Sequence, residues 1–484
     1  MNRVFLSARG RVLINAEALN MTESVGNYVK HRRVPALLPE AGYATFFVPA
    51  ISGESVAHGY QQVLAELGLK QKKPVCNLCS RGIFLKSTNR SVFASQFREK
   101  LEDSAKNNEK FDNAHIFECF VVRNCIVEDI GGFLFAPGQQ EKFEKPDDRK
   151  LLTSLKLLKE TKKTKKIKDL EGDTDENEEE STEVRNVKRT SNFFTGYMIP
   201  VREALRSSII EPQIHSRYAL GTPFVERGQQ GQMIYDVELS SAVYGFSFDL
   251  DTKFIGKATY SYAEIGKVID DARERVELSL DAFEIFVKEM LFGAKRTRFL
   301  PVIDWESIVI AVSEDIWTAP SPFSINYLVN SLEKAKKFRP SNLRLFVYVN
   351  KELISKISAG SVGIEVVTKE LLKHVRDQLD KKKEDMKEVF SDQYQIIEEK
   401  FATLTQDILR DLIEKEVQRL ISEKLLRDMG NEEILNELKK FLDSVEEYKK
   451  TEVKTENLVR VFETLEDAVS NAIKYAKELQ VRPA

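Results

Sequence analysis

The clearest chemistry offered by this sequence is phosphate binding at a turn between a strand and a helix. The turn Ser52-Gly53-Glu54-Ser55 follows a strand-like segment, residues 42–48, and precedes apolar residues at helical spacing. Ser52 is a suitable N-cap, and the N–H groups exposed at a helix start attract phosphate. The same four residues also fit an ordinary capped helix that binds no ligand.

Two groups of cationic side chains could provide further phosphate contacts. The first group is consecutive in a polar, irregular segment and consists of Lys30, His31, Arg32 and Arg33. The second group lies in a turn, residues 293–301, and consists of Lys295, Arg296 and Arg298. Such runs fit a phosphate clamp, and they fit a solvated surface equally well.

Residues 188–200 interleave cations with aromatic side chains. Lys188 and Arg189 open this segment, and Phe193, Phe194 and Tyr197 follow. The pattern suits base stacking combined with phosphate contact. The alternative is a strand that pairs back with an earlier strand of the chain.

His215 and Arg217 form a smaller candidate pair. On a strand they would share one face because side chains alternate with a period of two residues. A lone histidine is more often a packed or surface residue than part of a site.

The four cysteines raise the question of a metal site. Cys76 and Cys79 form a CxxC, and Cys119 and Cys125 follow on residues 116–127, which we predict to be a strand. Zinc needs four ligands in a workable geometry, and the second pair has the wrong spacing. Buried thiols are therefore favoured over zinc. We predict no metal ligand and no cofactor.

The elements that must position these residues follow the order strand, helix, two strands, helix, strand. This order is typical of an α+β, ferredoxin-like βαββαβ fold, here with large insertions. The predicted elements are a strand at 4–14, a strand at 42–48 with the helix that follows it, paired strands within 235–250, a helix at 270–292 and a strand at 303–312.

Two segments differ from the rest of the chain. Residues 139–186 contain a lysine block followed by an acidic block, and we predict that they form a disordered or hairpin-tip insertion. From residue 369 to 484 the pattern is helical, with an apolar seam from Phe390 to Ile408 and a third helix through Leu458 and Val469. We therefore predict two domains, 1–368 and 369–484, the second an α-helical bundle.

The composition excludes some classes of protein. The chain has 484 residues and a formal net charge of -3, which is uninformative because acidic and basic stretches are segregated. The sequence contains no apolar run long enough for a membrane span. Four cysteines in this length fit a reducing interior. We expect a cytoplasmic protein with no membrane partner.

Several motifs occur together in one order that resembles the CRISPR-associated autoregulator (DevR) family, the Cas-seven backbone subunit of Cascade complexes in its archaeal type I-A form. The resemblance covers roughly residues 1–315, and less clearly extends to 368. The motifs are Glu23-Ser-Val-Gly-Asn with Lys30-His-Arg, Val48-Pro-Ala-Ile-Ser-Gly-Glu, Asp129-Ile-Gly-Gly-Phe, Gly196-Tyr-Met-Ile-Pro, His215-Ser-Arg and Gly293-Ala-Lys-Arg-Thr-Arg.

The resemblance implies a modified RNA-recognition-motif palm with inserted fingers and thumb. Copies of the chain would polymerise along a guide crRNA, together with other Cascade subunits and target DNA, in antiviral defence. The thumb would be the arm flanked by Gly132 and Lys188. The implied RNA contacts are Lys30, His31, Arg32, Ser52, Gly53, Glu54, His58, Gln61, Lys188, Arg189, His215, Arg217, Lys295, Arg296 and Arg298.

Two other functions remain open. Relatives in type III complexes cut target RNA with an acidic residue after the first strand, and Glu17 and Glu23 occupy that region here. Neither stands in an acidic cluster that would hold a metal, so we expect no enzyme activity. A transcriptional autoregulator is the third possibility, but the sequence has no helix-turn-helix signal.

Overall fold

The computed structural model describes residues 2–482 except 39–41, 139–140, 144, 159–183, 185, 219–231, 261–268, 291, 325 and 351–457. The described strands are β1 Phe5–Glu17, β2 Met21–Val25, β3 Tyr28–His31, β4 Arg33–Leu38, β5 Ala44–Pro49, β6 Phe133–Phe135, β7 Val187–Arg189, β8 Phe193–Thr195, β9 Ile209–Tyr218, β10 Gln232–Asp251, β11 Val302–Ser313, β12 Arg344–Val349 and β13 Val459–Phe462. The described helices are α1 Gly53–Lys70, α2 Arg90–Lys106, α3 Ala114–Asn124, α4 Ile126–Gly131, α5 Pro146–Ser154, α6 Ala272–Glu289, α7 Tyr327–Lys337 and α8 Leu465–Val481.

The centre of the fold is an antiparallel sheet built on β1. Strand β1 pairs with β10 on one side and with β11 on the other, and β8 pairs with the far edge of β10. Strands β12 and β13 extend the sheet beyond β11, and β9, β3 and β2 extend it along the first half of β10. The α+β class predicted from the sequence is confirmed.

Helices α1 and α6 pack together on one face of this sheet. Tyr60 of α1 donates its hydroxyl hydrogen to the Ser279 carbonyl of α6 at 3.0 Å, and its ring contacts Phe248 of β10 at 5.0 Å between centroids. Phe248 also contacts Phe283 of α6. These rings are fully buried, so the apolar spacing of both helices is explained by one shared core.

The C-terminal residues differ from the predicted bundle. The predicted third helix is a strand over Val459–Phe462, which pairs in parallel with β12, followed by α8 from Leu465. Helix α8 is capped by Thr464 and packs against α6 and the β11–β12 side of the sheet. The last described residues therefore belong to the central sheet domain, and the predicted helices before them lie outside the described residues.

The predicted charged insertion is partly folded. Helix α5 packs against α2, and Leu152, Leu155 and Leu157 are fully buried. Asp148 of α5 is buried and pairs with Arg98 of α2. The insertion therefore cannot start at residue 139, and most of its lysine and acidic blocks lies outside the described residues.

Residues 116–127 are helical, although they were predicted as a strand. Asn113 caps α3 by accepting a hydrogen bond from Ile116 N–H at 3.0 Å. Phe117 and Phe120 then face a cluster of aromatic rings that includes Phe93. Packing at helical spacing overrides the β propensity of this aliphatic and aromatic run.

The predicted strand pair within residues 235–250 is a single strand, β10, of 20 residues. Its first half pairs with β9 and its second half with β1, so both halves find partners without a turn. Among the described residues, no helix combines the length and apolar character that a bilayer crossing requires.

Candidate nucleic-acid interface

The segment that leaves β1 joins three of the predicted phosphate-binding segments. The Asn20 carbonyl accepts the Arg32 N–H at 2.9 Å, and the Asn20 side-chain oxygen accepts the Ser52 N–H at 2.8 Å. The neighbouring Leu19 carbonyl accepts the Ala294 N–H at 2.8 Å. The basic run, the α1 start and the 293–301 turn are therefore held side by side.

The α1 start has the predicted N-cap. The Ser52 side chain accepts a hydrogen bond from the Ser55 N–H at 3.3 Å. Gly53 lies against Thr195, and a Cβ at residue 53 would stand 2.9 Å from the Thr195 carbonyl oxygen. Glycine is thus needed for close approach between α1 and the end of β8, while Glu54 is exposed.

An open cleft of about 440 Å³ lies in front of this helix start. It is lined by residues 52–54, by the end of α4, and by residues 191 and 193–197. Lys86 also lines it and donates to the Gly131 carbonyl at 2.9 Å. Burial lowers the pKa of Lys86, so an incoming anion would favour its charged form.

The basic run presents only part of its charge to solvent. Lys30 is exposed, and Arg33 pairs with Glu238 at 2.8 Å. Arg32 is half-buried, and its guanidinium donates a hydrogen bond to the Tyr197 hydroxyl at 3.4 Å. Of this run, Arg32 therefore contacts a residue that lines the cleft, and Lys30 is exposed to solvent.

His31 is a structural residue, which contradicts its predicted RNA contact. Its ring is buried, with Nδ1 at 2.8 Å from the Arg32 carbonyl and Nε2 at 2.6 Å from Glu17. Both partners are acceptors, so these contacts favour a ring that donates from both nitrogens, which is the protonated form. Burial lowers the His31 pKa, but the hydrogen bond and charge of Glu17 outweigh it and raise the pKa overall.

The candidate residues His215 and Arg217 lie on the two-stranded ribbon that β9 forms with the first half of β10, next to the 293–301 turn. The His215 ring stacks on Tyr235 of the paired strand at 5.2 Å and meets the edge of Phe299 at 5.1 Å. Arg298 is exposed and donates to the Tyr235 hydroxyl at 3.4 Å. An aromatic surface and a cation therefore meet at one place.

For three other predicted site residues, the structure gives the backbone position or the burial and no side-chain contact. Arg217 pairs with Met233 across the β9–β10 ribbon through the backbone register. Lys295 and Arg296 are half-buried in the turn that contains Arg298. The turn is closed by the Lys295 carbonyl, which accepts the N–H groups of Arg298 and Phe299 at 3.2 and 3.0 Å.

Three buried polar atoms at predicted site residues have no hydrogen-bond partner within the described part of the chain. They are Nε of Arg32, Oε1 of Gln61 and Nε2 of His215. Buried polar groups in native proteins are nearly always paired, so such atoms indicate a ligand or water. These three residues belong to three different predicted segments.

His58 and Gln61 occupy different environments on α1. Gln61 is buried, and its amide nitrogen donates to the Ala57 carbonyl at 2.9 Å. His58 is exposed and meets Phe84 edge to face at 4.9 Å, and desolvation lowers its pKa. Of these two side chains, only that of His58 is exposed to solvent.

Arg189 is buried in a charged core, which contradicts its predicted RNA contact. Its guanidinium pairs with Glu118 at 2.7 Å and with Asp129 at 2.5 Å. It also donates to three backbone carbonyls. Arg275 pairs with Asp129 from the other side at 2.9 Å, so this group ties α3, α4, β7 and α6 together. Lys188 beside it is exposed.

The cysteines do not group as the sequence suggested. Cys119 lies beside His115, with Sγ 3.5 Å from Nε2. Cys76, Cys79 and Cys125 lie together in a separate place, with Glu128 as the fourth member. Glu128 could not be recognised as a member of this group because residues 116–127 were predicted to be a strand. On a strand, residues three apart such as Cys125 and Glu128 point to opposite faces, whereas on a helix they lie on the same side.

Sequence reasoning also missed residues that build the interface. Asn20 joins two segments, Lys86 lines the cleft, and Tyr235 and Phe299 flank His215. Lone polar and aromatic residues give no local signal of this kind. Only the pairing of β9 with β10 and the return of the chain after α6 bring them to the predicted residues.

Comparisons with known proteins find consistent similarities. A model of the family described as CRISPR-associated negative auto-regulator DevR/Csa2 matches residues 8–332. CRISPR-associated protein Cas7/Csa2 1 of Saccharolobus solfataricus is 31% identical over 322 residues, which is 66% of this chain and 82% of that protein. CRISPR-associated aCascade subunit Cas7/Csa2 2 of the same organism is 28% identical over 354 residues, 72% and 92% of the two chains.

Among solved structures, a chain of a CRISPR RNA-guided surveillance complex in a pre-nicking state aligns with a TM-score of 0.32 and 10% identity. The alignment covers 71% of this chain and 91% of the other.

Proposed function

The chain belongs to the CRISPR-associated negative auto-regulator DevR/Csa2 family, and we propose that it is the crRNA-binding backbone subunit of a type I Cascade complex. One of its similar relatives is named as an aCascade subunit. In this role, copies of the chain assemble side by side along a guide RNA. Other Cascade subunits and the target DNA are the further partners.

The proposal includes a modified ferredoxin-like, RNA-recognition-motif palm. Its support is the antiparallel order β11-β1-β10-β8. Helix α1 lies between β1 and β8 in the chain, and α6 lies between β10 and β11. This is the strand and helix order of a βαββαβ unit, with residues 18–52, 71–192 and 196–231 as insertions.

The observation that carries the RNA assignment is the convergence of the polar segments around residues 18–20. Three segments are tied to Leu19 and Asn20 by backbone or amide hydrogen bonds of 2.8–2.9 Å. The backbones that carry the cations of the basic run and of the 293–301 turn are therefore held near the α1 start. Arg32, which is tied to Asn20, keeps an unpaired Nε, and Gln61 of α1 keeps an unpaired Oε1; such atoms suit a ligand that offers both acceptors and donors.

The aromatic surface at the β9–β10 ribbon adds a base-stacking site. The rings of His215, Tyr235 and Phe299 lie within about 5 Å of their neighbours, with Arg298 at the edge. Stacking accepts any base because every base has a π face. Together with backbone contacts this predicts binding that is nearly independent of sequence.

Two arms leave the palm near this interface. The predicted thumb begins at the β6–β7 pair, where Gly132 has a φ of +67° and lies against the backbone of residues 189–191. The β9–β10 ribbon is the second arm, and it exposes Ile214 and Ile234, at 76% and 50%. Because α5 of the first arm packs on α2, we propose that the β9–β10 ribbon is the arm that separates bases, with aliphatic residues as the wedge.

We propose no chemistry for this subunit itself. Glu17, one of the two acidic residues considered in the region of the catalytic acid of RNA-cutting relatives, is fully buried. One of its oxygens binds His31 and Tyr244, and the other accepts the Leu19 N–H at 2.8 Å. A carboxylate held in this way is not presented to a metal ion or to RNA.

A binding titration tests the assignment. We expect fluorescence anisotropy to give equal affinities for single-stranded RNAs of unrelated sequence, and weaker binding to duplex DNA. Tyr235→Ala should cost about 1–3 kcal/mol of binding free energy if a base stacks there. The exposed, remote Lys106→Ala is the matched control and should bind as the parent does. A preference for duplex DNA would favour the autoregulator instead.

A further inference from the structure

Three thiols and one carboxylate converge in the helical insertion, and none of these four residues lines the cleft. Sγ of Cys76, Cys79 and Cys125 and a carboxylate oxygen of Glu128 lie within 4.8 Å of one another, and all four residues are buried. Zinc binds thiolate at about 2.3 Å, which places tetrahedral ligands about 3.8 Å apart. The four groups thus need only small shifts to surround one ion.

The backbone brings the first two ligands together in a tight turn. The Cys79 N–H points to Sγ of Cys76 at 3.4 Å, a contact that stabilises a thiolate. A 3₁₀ turn over Cys79–Arg81 follows and ends at Gly82, whose φ is +73°. The positive φ favours glycine at this position, so the turn is built for this geometry.

The second two ligands come from the start of α4. Cys125 and Glu128 are three residues apart, so they lie on one side of the first helical turn. The Ile126 N–H donates to the Pro74 carbonyl at 2.9 Å and fastens the helix start to the chain that precedes Cys76. The two ligand pairs are therefore held by direct backbone contact.

A set of outer hydrogen bonds orients the ligands. Ser87 donates to one Glu128 oxygen at 2.5 Å, and Gln96 donates to the other at 2.5 Å. The Gln96 amide also lies 3.5 Å from Sγ of Cys76. Outer contacts of this kind fix the orientation of metal ligands.

A carboxylate placed among three sulfur atoms is costly unless a cation balances it or the carboxyl group keeps its proton. Glu128 is 0% exposed, and burial of an unpaired charge is strongly unfavourable. The nearest cation, Lys86, is turned to the Gly131 carbonyl. A divalent ion satisfies the carboxylate and the thiolates at once, and zinc accepts both thiolate and carboxylate ligands in tetrahedral geometry.

We propose that Cys76, Cys79, Cys125 and Glu128 bind a structural zinc ion. The ion would close the loop between the CxxC and α2. In that loop Lys86 and Ser87 both have positive φ values, +53° and +50°, and Ser87 is anchored on Glu128. Through this loop the ion would hold Lys86 at the cleft, a consequence that rests on the proposed RNA-binding function.

Metal analysis of the purified full-length protein tests the zinc site. We expect about one zinc per chain in the parent and in Cys119→Ser, because Cys119 is buried but outside the group. Cys79→Ser and Cys125→Ser should lose the ion. Gln96→Ala should keep the ligands and weaken zinc affinity by about 10- to 100-fold.

A second measurement covers variants that fail to fold. In the folded parent, a thiol reagent should reach the three site cysteines only after a strong chelator is added, and zinc should restore protection and the melting temperature. Parent protein that contains no zinc, and whose melting temperature zinc leaves unchanged, would overturn the proposal. So would iron in place of zinc. Neither result bears on whether the protein binds RNA, which the anisotropy titration decides separately.

Discussion

The basic turn after α6 offers a direct test of the phosphate contacts. Lys295, Arg296 and Arg298 lie in residues 293–301, and no carboxylate pairs with them among the residues that the structure describes. We consider the triple substitution of these residues by Ala. If each cation neutralises one phosphate, the variant releases three fewer counterions when RNA binds.

The expected size of this effect follows from counterion release. Each phosphate contact on a single strand contributes about 0.7 to the slope of log K against log salt, so the slope should fall by about 2. Between 50 and 200 mM salt the parent's affinity would therefore fall about 20-fold more than that of the variant. The loss of binding should be largest at low salt, where counterion release is most favourable.

The assay is anisotropy of a labelled single-stranded RNA at several salt concentrations. The matched control replaces Lys100, Lys106 and Lys150, three exposed cations on α2 and α5, by Ala. It changes the net charge by the same amount and should keep the parent slope. An unchanged slope in the first variant, with its fold intact by circular dichroism, would remove this turn from the interface. An equal change of slope in both variants would mean that net charge, and not this turn, causes the effect.

Three further predictions concern the fold that supports the interface. Arg189→Met should lower the free energy of unfolding by about 3–5 kcal/mol in denaturant titrations, because it leaves the buried carboxylates of Glu118 and Asp129 without this cation. Lys188→Ala, at the exposed neighbour, should have little effect. The raised His31 pKa means that its protonated form stabilises the fold below about pH 6.5 and that this contribution is lost as the pH rises through the raised value. The stability difference between parent and His31→Gln should therefore shrink with rising pH, and a difference that grows would contradict the ion pair with Glu17. Leu152→Ala should cost about 2–5 kcal/mol, while a short Gly/Ser link in place of residues 159–183 should leave the melting temperature unchanged.

Local signals explain which elements could be predicted. Ser52 caps α1 and the apolar spacing of α6 matches one buried face, so both helices follow from the sequence. The helical structure of residues 116–127 could not be predicted in this way, because their β-branched and aromatic side chains favour a strand locally. Asn113 carries the missed helix signal, and the core around Phe93 decides the outcome.

Long-range contacts explain what the sequence did not reveal. Arg189 and His31 look like surface cations in a basic run, and only their partners, Asp129 and Glu17, show that they are buried. Strand β13 pairs with β12 although more than 100 residues separate them, so no local pattern could place it in the sheet. The sequence therefore named segments that the fold brings together, but it did not reveal which side chains in each segment face outward.

The central claim is that this chain is a guide-RNA backbone subunit, and the nucleic acid bound to it in cells tests that claim most directly. The full-length chain should be purified from its host at moderate salt, and the bound nucleic acid should be extracted and treated with ribonuclease or deoxyribonuclease. We predict RNA of defined length that carries CRISPR repeat sequence, with several protein copies per RNA by mass. Protein that carries no nucleic acid, or only duplex DNA, would contradict the account.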